Sequence, residues 1–121
     1  MTMPIVLALG LDPAFVDPTA IGGLSPAVVR AFIDSQLERV RGLGYDLDAC
    51  LIGPADAEAA VADRLRARNY DCVLIGAGLR APEQILLFEK VLNVVHALAP
   101  GAKICFNSTP ADSAEAVRRW V

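Results

Sequence analysis

At 121 residues the chain is one domain's worth of protein, long enough to bury a real core. Hydrophobic residues make up 55% and charged residues 21%, which argues against disorder and favours elements buried on both faces. The net charge of −3 argues against an electrostatic footprint for nucleic acid.

The pattern alternates strand and helix four times. Residues 5–9 are a continuous apolar run, as expected of a central parallel strand. Ser25-Pro26 opens the first helix, with serine at the N-cap and proline in the first turn. Val29, Phe32, Ile33, Leu37 and Val40 form its apolar stripe, and Gly42 and Gly44 end it. Residues 47–52 are a second, more polar strand, with Asp46 and Asp48 near its start, which suits a sheet edge. The second helix spans about 56–68, alanine-rich, with Val61 and Leu65 as its larger apolar residues. Arg64, Arg66 and Arg68 fall late in it, as Arg118 and Arg119 do in the last helix, where cations complement the helix dipole.

Residues 72–75 are the third strand. Pro82 starts the third helix, which runs to Leu98 and stops at Pro100-Gly101. Residues 104–106 are the fourth strand. Thr109-Pro110-Ala111-Asp112 then caps a last helix carrying Ala114, Val117 and Val121 on one face. Strands separated by helices imply βαβ units with right-handed crossovers. The expected fold is a single three-layer α/β sandwich, Rossmann-like or flavodoxin-like. Its four parallel strands are expected in the order 2-1-3-4, with a switch point between the first and third.

Two segments depart from this plan. The connection 10–24 is roughly 14 residues where about 2–6 is usual. It suits a lid or partner-binding loop, or else a surface loop pinned by Phe15, Val16 and Ile21. The third helix is apolar around more than one face. That excess implies either a homodimer interface or burial under the long loop.

Cys50, Cys72 and Cys105 lie in or beside apolar strand patterns at wide spacings. No C-x-x-C pair exists and the single histidine completes no zinc set, so reduced core thiols of a cytosolic protein are expected. No signal peptide or transmembrane helix is expected, and no metal or cofactor.

Gly76-Ala77-Gly78-Leu79-Arg80-Ala81 fits the G-x-G-x-x-[G/A] dinucleotide string between a strand and a helix. It follows the third strand, however, and Asn107 stands where an acid would bind a ribose. Such glycines also permit tight strand–helix packing. A phosphate or other small anion on Arg80 and the neighbouring amides is the better functional reading. Asn107, Ser108 and Thr109 project at the same sheet edge and would line a polar pocket with Asp12 and Arg80, while Thr109 also suits a helix cap. Ser108 lacks a base: His96 lies late in the third helix, near the opposite edge, as a partly buried or interface residue. Asp12 and Asp17 precede prolines, where turn initiation explains them better than a cation site.

On Asp71-Cys72-Val73-Leu74-Ile75, residues 92–98, Ala99-Pro100-Gly101-Ala102-Lys103-Ile104 and the hydroxyl pair Ser108-Thr109, the segment 70–108 resembles a response-regulator receiver domain. The resemblance covers about a third of the chain and implies a receiver-like shape. At the phospho-accepting position stands Gly76, the acidic pair is reduced to Asp12, and no fifth strand with a lysine follows, so phosphotransfer is not implied. The whole chain also resembles a small uncharacterised bacterial family of Rossmann-like α/β proteins, which implies the fold and a cytoplasmic setting. Two functions follow as expectations. One is a non-catalytic binding or interaction module, dimeric through the third helix. The other is a small enzyme or phosphometabolite-binding protein with its site over Gly10, Asp12, Gly76, Gly78, Arg80, Asn107 and Ser108. Neither a membrane nor nucleic acid is an expected partner.

Overall fold

The computed structural model describes residues 2–121. Its strands are β1 (Ile5–Leu11), β2 (Asp46–Ile52), β3 (Cys72–Ile75) and β4 (Lys103–Phe106). They form one parallel sheet in the order β2-β1-β3-β4, the order expected from the sequence. The apolar runs of β1 and β3 place them at the centre, where both faces are covered. The helices are α1 (Pro26–Gly42), α2 (Ala57–Ala67), α3 (Ile85–Leu98) and α4 (Ser113–Arg118).

The alternation of side chains along each strand divides the core into two layers. Leu7, Leu9 and Leu11 of β1 join Cys50, Ile52, Val73 and Ile75 against α2 and α3. Val6 and Ala8 join Leu47, Cys72, Leu74 and Cys105 against α1 and α4. α1 leaves β1 toward one edge of the sheet while α2 and α3 cross toward the other. Right-handed crossovers therefore put them on opposite faces, with the switch point between β1 and β3.

The caps form as their residues dictate. The Ser25 hydroxyl accepts the Val28 amide at 3.2 Å. Thr109 and Asp112 close a reciprocal capping box ahead of α4. The three cysteines are buried free thiols, with the Cys72 and Cys105 sulfurs 3.4 Å apart across β3 and β4. No helix among the described residues is long and apolar enough to cross a membrane.

Several details differ from the sequence expectations. β1 runs on to Leu11, and the long connection then folds into 3₁₀ turns at Pro13–Phe15 and Pro18–Ile21. Asp12 and Asp17 cap these turns by accepting the Ala14 and Thr19 amides, the Asp-Pro turn chemistry read from sequence. Phe15 is largely exposed, with its ring seated where a Cβ on Gly53 would stand. The loop leans on α1 and leaves the start of α3 open. Phe32 is 39% exposed rather than core, and the buried side chains of α1, Leu37 and Val40, both lie in its second half. His96 is exposed, and Val121 lies beyond α4.

Arg68 lies just past α2 instead of serving its dipole. It bridges Asp46 and Asp48, and Asp48 also accepts the Tyr70 hydroxyl at 2.7 Å. The Tyr70 hydroxyl, then Arg68, hold the Asp48 carboxyl below the usual range. Burial, reinforced by the Asp48 carboxylate, pushes the Tyr70 phenol from 10.0 up to about 12. A phenol whose folded value is raised stabilises the fold in its neutral form. That contribution is complete below its ordinary value and disappears as pH rises through the folded one. The stability gap between the wild type and Tyr70→Phe therefore shrinks between pH 10.0 and about 12. Urea titrations at stepped pH measure it, and a gap that stays constant across this window contradicts the network.

Candidate functional site

The C-terminal edge of the sheet opens into a cavity of about 360 Å³ on the α1 side of the switch point. Its origin is legible along single strand faces. On β1 the inward series toward α1 shrinks from Val6 to Ala8 to Gly10. Side chains stop filling the space beside the first half of α1, where no residue is buried. Val29, Ile33 and Leu37 of α1 form one wall, and Pro13, Val16 and Ile21 roof it from the long connection. Leu51 and Leu74 lie at the floor, and Ala77, Gly78 and Ala81 form the opposite wall. Asn107, Ser108, Thr109, Pro110 and Ser113 close the end, and Glu83 stands at the rim.

Of the residues expected at a site, Gly10, Gly78, Asn107 and Ser108 line this cavity, while Asp12, Gly76 and Arg80 do not. Gly76 is needed for a different reason: a Cβ there would stand 3.3 Å from the Leu9 carbonyl oxygen, so its absence lets the turn after β3 pack on the end of β1. Gly76 N–H then donates to that carbonyl at 2.8 Å. Asp12 turns to Arg30, with which it pairs at 2.5 Å. The Ala14 amide and then Arg30 hold its carboxyl below the usual range.

Arg80 is engaged within the fold. Its guanidinium donates to the Ile75 carbonyl at 3.3 Å and to the Asn107 carbonyl, and lies 4.9 Å over the Phe106 ring. It ties the end of β3 to the end of β4. Asn107 is buried and equally committed. Its Oδ1 accepts the Ala77 amide at 2.9 Å, and its Nδ2 donates to the Ser113 hydroxyl at 3.1 Å. Ser113 in turn donates to the Pro110 carbonyl at 2.7 Å.

The amides after β4 are also taken. The Asp112 carboxylate accepts from Ser108 N–H at 2.9 Å, from Thr109 N–H at 3.2 Å and from the Ser108 hydroxyl at 2.5 Å. Those bonds, led by the Ser108 hydroxyl, hold the Asp112 carboxyl below its usual value. An internal carboxylate thus takes up the amides that follow β4. Of the donors named for an anion, Arg80 and the Ala77 amide are spent inside the chain.

No protein-family model matches the chain, and no curated protein matches it.

Ser108 meets a carboxylate but no imidazole, and His96 is exposed near the far end of α3, which runs away from this edge. Among the described residues no three His, Cys, Asp or Glu side chains gather as metal ligands. The linings that sequence reasoning missed are chiefly Val29, Ile33 and Leu37, which read as core stripe, and Leu51, Leu74 and Ala77. The one signal for them was the shrinking series at alternate positions of β1.

Proposed function

We propose that this chain is a non-catalytic binding module that takes a small, uncharged and largely apolar molecule into the cavity at the switch point. One observation carries the reading: the cavity stays open and mainly apolar, while Arg80, Asn107 and the amides after β4 are satisfied internally. Its volume lies within the usual range for small-molecule sites, roughly 300–1,000 Å³. The competing reading, a phosphometabolite-binding protein or small enzyme, needs free cationic or amide donors at this edge, or a nucleophile with a base. The buried free thiols support a cytoplasmic setting for the module.

The test is a thermal-shift comparison of 1-octanol with octyl phosphate. Octanol is expected to raise the melting temperature by mass action, and octyl phosphate to do so less or not at all. Val29→Trp fills the cavity from the α1 wall and is expected to abolish the octanol shift while the fold, followed by circular dichroism, persists. A larger response to octyl phosphate than to octanol overturns this reading in favour of the anion site. An octanol shift that survives Val29→Trp places the binding elsewhere.

A further inference from the structure

On the opposite face of the sheet, α2 and α3 lie side by side with an open groove between them of about 1000 Å³. Its floor is made of short side chains, among them Ala59, Ala62 and Ala97, which let another helix approach closely. At its upper end stands Leu86, 76% exposed and the most exposed large apolar side chain of the described residues, beside Ile85 at 55%. The long connection covers neither. An apolar side chain at this exposure next to an alanine-floored groove is an unmet packing surface.

We infer that this groove is the interface of a two-fold homodimer, with α2 and α3 of one copy packed antiparallel on those of a second. The argument is charge placement. α2 and α3 both start at the C-terminal edge of the sheet and run back in the same direction, so their levels correspond. Glu58 lies four residues before Ala62 and Arg66 four residues after it, both in the groove and neither in an ion pair among the described residues. A two-fold axis crossing the helices at Ala62 sets Glu58 of each copy over Arg66 of the other. The corresponding level of α3 is Lys90. The same axis sets Leu86, four residues before it, over Val94, four residues after it, in the lower groove of the second copy. At the axis Lys90 meets its own symmetry mate, and Glu89 of each copy, one residue away, stands between the two ammonium groups to offset them. One symmetry operation thus pairs the free charges and seats the exposed leucine, which is the self-complementarity an isologous interface requires.

Sedimentation equilibrium of the full chain over a micromolar to millimolar series tests this. The wild type is expected to dimerise, and Leu86→Asp to remain monomeric with an unchanged circular dichroism spectrum. Glu58→Arg and Arg66→Glu are each expected to weaken association by about tenfold or more, and the double swap to restore it. A wild type that stays monomeric at millimolar concentration overturns the proposal. So does a Leu86→Asp variant that still dimerises. Failure of the double swap to rescue overturns the antiparallel register and with it this interface.

Discussion

Asn107→Ala lowers the free energy of unfolding by about 2–4 kcal/mol, far more than a ligand contact at a sheet edge would. Asn107 is only 6% exposed and each side-chain group has its partner: Oδ1 faces two donors, the Ala77 amide and the Arg80 guanidinium, and Nδ2 faces the Ser113 oxygen. Truncation leaves the Ala77 amide without its acceptor in a partly buried turn. It also removes the link between the turn after β3 and the start of α4. An unmet buried donor costs about 1–3 kcal/mol, and the lost packing adds to it. Asn107→Asp separates the two ends of the amide. It keeps an acceptor for Ala77 and gains charge attraction from Arg80, yet it sets a carboxylate oxygen against Ser113, whose proton is already given to Pro110. Its stability is therefore expected to fall between those of alanine and wild type. Urea denaturation measures the series. A loss under about 0.5 kcal/mol for Asn107→Ala, the range of ordinary surface substitutions, shows that the amide is free for a ligand after all.

What the sequence disclosed and what it withheld follow from the range of the interactions. The runs at Ile5 and Cys72, broken by helices, carry burial in their own periodicity, so the strand order could be read directly. Ser25, Thr109 and the two Asp-Pro turns act within a few residues of themselves and were equally plain. The internal contacts of Arg80 were not legible because its partners, the Ile75 and Asn107 carbonyls and the Phe106 ring, become neighbours only once β3 and β4 pair. Arg68 was misread for the same reason: it serves the carboxylates of β2, not its own helix. The cavity is an absence of side chains rather than a motif. It arises where Gly10 on β1, the first half of α1 and the turn after β3 leave space between them, and no single segment contains all three.

Leu79→Ala costs about 2–5 kcal/mol, the range for emptying a fully packed leucine site. The residue lies inside the string Gly76-Ala77-Gly78-Leu79-Arg80, which as a cofactor loop would offer its amides to a ligand. The structure gives the string another purpose. Leu79 is 0% exposed and joins the core formed with α2 and α3, together with Leu11, Leu87 and Val91. The glycines bring the 3₁₀ turn Ala77–Arg80 close enough to β1 for that insertion: a Cβ on Gly78 would stand 3.3 Å from Leu11 Cβ. Arg80 then fastens the turn to β4. Folded domains hold only about 5–15 kcal/mol in total, so this one truncation removes a large share of the stability. The expected signature is a lower urea midpoint with an unchanged slope, since the surface exposed on unfolding stays nearly the same. Leu79 faces α3 while the cavity lies on the α1 side, so the variant keeps its octanol response when measured below its lowered melting temperature. Near-wild-type stability combined with loss of that response reverses the assignment and returns the glycine turn to the ligand.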